Sequence, residues 1–196
     1  MPPLNEEQLD QLRDERKEQI KYAARKVFAC YGLCGTKMSM IASEAGVSQG
    51  LSYRYFKSKD ELFVELIEEA MEEAMDALIY VSEQQGTPTE LLAMITEGML
   101  EENNKYYFML VQQARTSEYI PEKVQRVLEQ YSSEAMLKPL LSIFIQGQQN
   151  GEFIEGDPKK LLFWYFAIIS GIMLQVQEID GFGLPDAQFL IRVLIK

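Results

Sequence analysis

Gln49, Ser52, Tyr53 and Arg54 fall within one short stretch of the run Lys37–Phe56, KMSMIASEAGVSQGLSYRYF. Their chemistry is recognition. A glutamine amide can bond adenine at two atoms, and an arginine fork can bond guanine at two. Arg54 serves equally well as a phosphate ligand. Gly50 gives the backbone close access to a nucleic acid, and Lys37, Lys57 and Lys59 are spaced to add charge-assisted phosphate contacts. Bond-making chemistry has no such support. The chain lacks histidine, which removes the commonest general base, the usual triads and most zinc sites. It also has no Gly-rich phosphate loop, so an enzyme on a helical scaffold is disfavoured and no cofactor is expected. Cys30 and Cys34 read as small buried hydrophobes; only their spacing suggests a redox pair.

Two short helices must hold these side chains. Met38, Ile41, Ala42 and Ala45 form the apolar face of the first. Gly46 suits the left-handed position that ends a helix, and Ser48 is a good N-cap for the next. Helices joined by so short a Gly-containing turn form a helix-turn-helix, whose second helix enters the major groove. That helix, Gln49 to Phe56, should expose Gln49, Ser52, Tyr53 and Arg54 and lean Leu51, Tyr55 and Phe56 towards the core.

The formal charge of −11 opposes DNA binding until it is divided along the chain. Residues 13–59 carry ten Lys or Arg against four acids, a net of +6, whereas residues 61–196 carry nine against 22, a net of −13. Phosphate binding needs local positive charge, and an acidic body keeps the molecule docked by its basic head. Two domains are therefore expected, 1–59 for DNA and 60–196 for control. Apolar content of 47% indicates a packed globular chain. The longest apolar run, Leu161 to Met173, is too short to span a bilayer. The N-terminus lacks a signal pattern, which predicts a cytoplasmic protein with no membrane partner.

Nearly every boundary signal belongs to a helix, so the fold class is all-α with about nine helices. The first runs from about Asn5 to Tyr31, stopped by Gly32. After the motif, Ser58-Lys59-Asp60-Glu61 is a capping box that opens a helix to about Gln84, and Thr87-Pro88-Thr89-Glu90 is another, opening a helix to Asn103-Asn104. Lys105 to Thr116 follows, then a helix from Pro121 towards Gln149 with a kink at Pro139. Asp157-Pro158 starts an almost wholly apolar helix to about Ile179. Gly181, Gly183 and Pro185 turn the chain into a last amphipathic helix, Asp186 to Lys196.

The sequence resembles the tetracycline-repressor (TetR) family of bacterial one-component regulators. The carrying residues are Thr36, Met38, Ile41-Ala42, Ala45-Gly46-Val47-Ser48, Gly50, Tyr53, Tyr55-Phe56, Ser58-Lys59 and Leu62, which match the family's pattern without a gap over about residues 20–65. Lys37 departs from the usual Ser or Thr cap, Leu51 from the frequent Thr, and Ser52 from a position often held by Leu or Ile. The resemblance implies an N-terminal three-helix DNA-binding domain and a C-terminal helical domain for effector binding and dimerisation. It also places Tyr53 and Tyr55 at phosphate-contacting positions. By the same resemblance, effector binding shifts the fourth helix and changes the spacing of two reading heads.

One motif contacts too little DNA for tight selectivity, so the expected partners are a pseudo-palindromic double-stranded operator, a second copy of the chain and a small effector. The dimer surface expected from apolar excess in the last two helices comprises Phe163, Phe166, Ile169, Ile172, Met173, Phe189 and Val193. The effector pocket is expected among soft and aromatic side chains: Met71, Met94, Met99, Tyr106, Tyr107, Met109, Tyr131, Phe144 and Trp164. The function expected is a repressor released by a largely apolar effector. An activator, or a regulator controlled by a protein partner, fits the sequence as well. A purely structural adaptor leaves the basic head unexplained.

Overall fold

The computed structural model describes residues 6–175 and 183–196. Its helices are α1 (Glu6–Gly35), α2 (Met38–Glu44), α3 (Gln49–Tyr55), α4 (Lys59–Ser82), α5 (Pro88–Met99), α6 (Lys105–Thr116), α7 (Glu122–Gln130), α8 (Ser133–Leu137), α9 (Leu141–Gln149), α10 (Pro158–Gln175) and α11 (Ala187–Ile191), with 3₁₀ turns at Glu102–Asn104 and Lys138–Leu140. The all-α class and the order of nine helices expected from the sequence are present, the seventh being divided into α7, α8 and α9. Among the described residues no helix is long and apolar enough to cross a membrane.

The seventh helix divides for local reasons. Ser132 adopts an extended backbone and its Oγ accepts from the Ala135 N–H at 3.4 Å, so it ends one helix and caps another. Pro139 has no N–H to continue the ladder, and the chain tightens into 3₁₀ around it. The last helix is also shorter than expected. It stops at Ile191, and the tail instead forms an antiparallel bridge, with the Ile154 N–H donating to Leu194 O at 2.9 Å and the Lys196 N–H to Glu152 O at 3.1 Å. The expected turn residue Gly181 and the expected helix end near Ile179 lie outside the described residues.

Two compact units result: residues 1–68 with 110–125, and residues 69–109 with 126–196. The first takes in more than the sequence boundary at residue 59, because it includes the start of α4 and most of α6. Ile20, Val27, Phe28, Ile41, Phe56, Leu62 and Phe63 are buried in it, and Phe28 meets Phe63 edge to face at 5.0 Å. The second unit is built on Leu92, Ile95, Phe144, Phe153, Leu162, Tyr165, Ile169 and Leu190.

The segment Asn150–Phe153 ties the second unit together. Phe153 stacks on Phe144 at 4.8 Å and lies over Gly147, where a Cβ would overlap the Phe153 ring. Glu152 accepts from the Thr89 N–H (3.1 Å) and hydroxyl (2.8 Å), and from Asn150 (3.0 Å), pinning the first turn of α5. Burial opposes ionisation of Glu152, but these hydrogen bonds outweigh it and hold the carboxyl below its ordinary range. A lowered folded pKa means stabilisation that is present above the unfolded value and lost as pH falls through the folded one. Acidification should therefore weaken the second unit, and Glu152→Gln should flatten that dependence in thermal melts across acidic pH. Gly147→Ala, which forces a ring to move in a packed core, should cost about 2–3 kcal/mol in urea unfolding.

Candidate nucleic-acid interface

The turn between α2 and α3 is made by chemistry local to it. Gly46 has φ 65°, a conformation that penalises a Cβ. The Val47 N–H returns to Ala42 O at 2.9 Å and the Gly46 N–H to Ser43 O at 3.1 Å, consuming end carbonyls of α2. Gln19 of α1 reaches across to give its amide to Ala45 O at 2.6 Å. Ser48 then caps α3, its Oγ accepting from the Leu51 N–H at 3.2 Å. Lys37 stands at the N-cap of α2 with no side-chain capping bond, while the Thr36 hydroxyl donates to Gly32 O at 2.7 Å, so neither side chain caps α2.

Gln49, Gly50, Tyr53 and Arg54 are exposed on α3, Ser48 is exposed at its start, and Leu51 and Tyr55 are half-buried. Phe56 is buried beneath, with the Lys17 ammonium 5.7 Å from its ring centroid. Ser52 departs from the expectation of a base reader. It is 0% exposed, because it points into the seat of α3, where the family pattern often places Leu or Ile. Its Oγ is buried without a hydrogen-bond partner. Gly50 is not held by packing, since a Cβ there would meet open space; the sequence argument for close backbone approach remains its rationale.

The lysines of the head, with Arg54 of the reading helix, divide into two groups. Lys17 pairs with Glu65 at 2.7 Å, Lys21 with Glu18 at 2.9 Å and Glu65 at 3.6 Å, and Lys26 with Glu44 at 3.4 Å. Lys59 is half-buried and its ammonium donates to Leu33 O at 2.7 Å and Thr36 O at 2.9 Å. Lys59, expected as an open phosphate ligand, is thus engaged with two backbone carbonyls. Lys37, Arg54 and Lys57 are exposed with side chains unengaged among the described residues, and these flank or lie on the reading helix.

The residues expected to form the pocket are dispersed. Met94 and Trp164 are exposed, Trp164 at 65%, so neither lines an interior cavity of its unit. Met71 and Phe144 are buried, Phe144 as core against Phe153. Met99, Tyr106, Tyr107, Met109 and Tyr131 are half-buried. Of the expected dimer residues, Ile169 and Met173 are fully buried in the core of their own unit and have no surface to offer. Phe166 and Ile172 pack against that core, while Phe163, Phe189 and Val193 are exposed. Sequence reasoning missed Ile168, exposed on α10, and a shallow groove of about 370 Å³ bounded by Leu137, Leu141, Lys159, Phe163 and Trp164.

Ser52→Ala removes a buried hydroxyl that has no partner and should raise the stability of the head by about 1 kcal/mol in urea melts. Gln49→Ala should leave stability unchanged and alter sequence preference, read as unequal affinity losses across a set of operator variants. Equal losses on every variant would remove Gln49 from base reading.

Residues 20–66 match the model for bacterial regulatory proteins of the tetR family. Over 142 residues, 70% of this chain and 71% of the relative, the sequence is 29% identical to the fatty acid metabolism regulator protein of Bacillus subtilis (strain 168). The fold is shared with the ketosteroid transcriptional regulator of Mycobacterium tuberculosis, at a TM-score of 0.70 and 20% identity over 93% of this chain and 95% of that one. It is shared equally with a transcriptional regulator from Saccharomonospora viridis solved in complex with choline, at a TM-score of 0.70 and 20% identity over 93% and 99% of the two chains. The matching family model lies across the helices that present Gln49, Tyr53 and Arg54, and this N-terminal segment is a DNA-binding domain of the tetR family of bacterial regulatory proteins, whose members are transcription regulators rather than enzymes.

Proposed function

We propose that the protein is a cytoplasmic repressor that binds a pseudo-palindromic operator as a homodimer and leaves it when a small, largely apolar effector binds. The observation that carries this reading is the exposed face of α3, with Gln49, Tyr53 and Arg54 outward and Lys37 and Lys57 beside it. Seven residues of helix reach only a few base pairs, so a second head is needed for a selective site. The exposed apolar side chains of α10, α11 and the tail after it support a dimer: Phe163, Trp164, Ile168, Phe189 and Val193. Burying them against a second copy gains apolar area that a single chain leaves in water. The half-buried Met99, Tyr106, Tyr107 and Met109 support an adaptable apolar pocket, and the solved relative bound to choline supports a small molecule as the signal. An activator, or a regulator answering to a protein partner, would use the same head; the position of the operator relative to the promoter separates them.

The test is fluorescence anisotropy on a duplex from the chain's own upstream region, repeated with a library of small apolar compounds. A dimer that carries Lys37, Arg54 and Lys57 twice neutralises about six phosphates, so log affinity should fall against log salt with a slope of about −5. Sedimentation should give a dimer at micromolar concentration and a monomer for Phe189→Glu, which sets a charge in the apolar face. A wild-type monomer at that concentration would defeat the dimeric reading. Release by none of the compounds would defeat the effector.

A further inference from the structure

We infer that Lys59 is a positioning residue of the reading head: its ammonium closes the helix-turn-helix into a loop instead of serving as a phosphate ligand. This rests on the DNA-binding reading of α3 and adds to it a residue that sets affinity without touching DNA.

The geometry begins at the corner between α1 and α2. Gly32 leaves helical geometry at φ 63° and ψ 177°, and Leu33 and Thr36, which follow the bend, are buried. Carbonyls at a helix end have no intrahelical partner. A cation is favoured there by hydrogen bonding and by the helix dipole. The Lys59 ammonium supplies that cation, at 2.7 Å from Leu33 O and 2.9 Å from Thr36 O. Two of its three protons are thereby committed to carbonyls.

The position of Lys59 in the chain gives these bonds their consequence. Thr36 is the last residue before the motif and Lys59 is the first residue of α4. The bond between them therefore joins the two ends of segment 37–58, which contains α2, the turn and α3. Pinning the ends of a segment removes conformational freedom from everything between them. The anchor is itself fixed, because Ser58 Oγ accepts from the Glu61 N–H at 3.1 Å and Glu61 accepts from the Lys57 N–H at 3.0 Å. At the other end, α2 has no side-chain cap of its own, so the corner held by Lys59 is what directs the chain into the motif. Lys57, two residues earlier, is exposed and unengaged, and is the residue of this pair whose ammonium faces solvent.

The experiment compares Lys59→Met, which keeps the stem and deletes the ammonium, with Lys57→Met. Operator affinity is measured over about 50 to 300 mM salt, at a temperature where circular dichroism shows both variants folded, and amide exchange is followed in parallel. Lys57→Met should reduce the salt slope by about one per protomer and leave exchange unchanged. Lys59→Met should weaken binding about tenfold at every salt concentration with the slope retained. It should also speed exchange across 36–51 but not in α10. Lys59→Arg, which can still donate to two carbonyls, should restore most of the affinity. A lysine with a merely structural role would lower the melting temperature without changing affinity measured well below it. If Lys59→Met does not fold, Lys59→Gln, which retains one amide donor, is read by the same criteria. A reduced slope with unchanged exchange would make Lys59 a phosphate ligand and overturn the inference, as would unchanged affinity. Failure of the wild-type protein to bind the duplex would count against the regulator reading alone, and exchange across 36–51 would still decide the closure.

Discussion

A helix of seven residues such as α3 makes too few internal hydrogen bonds to persist alone, so its orientation is imposed by what lies beneath it and what holds its ends. Beneath it lie Phe56 and Ser52, both buried. At its start, Gly46 turns the chain and Ser48 satisfies an end amide. At its finish, the Phe56 N–H returns to Ser52 O at 3.0 Å before Ser58 opens α4. Every direction available to Gln49 and Arg54 is inherited from these few contacts. Ser52 is the weak member of the set, since a hydroxyl with no partner occupies a place where an apolar side chain would fill the seat.

The same constraint governs the charge of the head. A count of +6 over residues 13–59 describes composition, whereas DNA meets only the cations left unspent by folding. Lys17 and Lys21 share Glu65, Lys26 is drawn to Glu44, and Lys59 faces carbonyls. These interactions hold α1 against the start of α4 and against α2, so the cations that stabilise the seat are subtracted from the field that attracts phosphate. Lys37, Arg54 and Lys57 stay open, gathered around the reading helix. Local positive charge at the reading helix is thus set by these three open cations rather than by the whole count.

The motif was legible because its signals are short-range: a glycine for φ 65°, a serine cap, and an apolar face fixed by three or four residues. The capping box at Thr87–Glu90 was legible for the same reason and is formed in full. Ser52 was misread because polarity argued for the surface while position in so short a helix argued for the core; the family pattern, with Leu or Ile there, held the correct signal. The carbonyl contacts of Lys59 were not legible because Leu33 and Thr36 are remote in sequence and backbone acceptors carry no side-chain signature. The division of the seventh helix had a signal in Ser132-Ser133-Glu134, an N-cap followed by an acid. The strand-like tail after Ile191 had none, because its partner is the backbone at 152–154. Methionines and aromatics were the least legible, since the same residue types fill a core and line a pocket; Phe144 and Trp164, both assigned to one pocket, lie at opposite extremes of exposure.

Helix α10 shows how composition and placement diverge in the second unit. A helix that is apolar nearly all round is ordinarily buried all round. In α10 only the stripe Leu162, Tyr165, Ile169 and Met173 is buried, and Tyr165 is further fixed by a 2.8 Å hydrogen bond with the buried hydroxyl of Thr96. Since Thr96 donates to Leu92 O at 2.8 Å, the tyrosine must be the donor, and burial raises its pKa so that it keeps the proton this bond requires. The buried stripe is thus specified in rotation as well as depth, and that specification leaves Phe163, Trp164 and Ile168 outside. An apolar face that cannot turn inward without breaking a buried polar pair gains nothing from water, and it is this face that the proposed homodimer would cover.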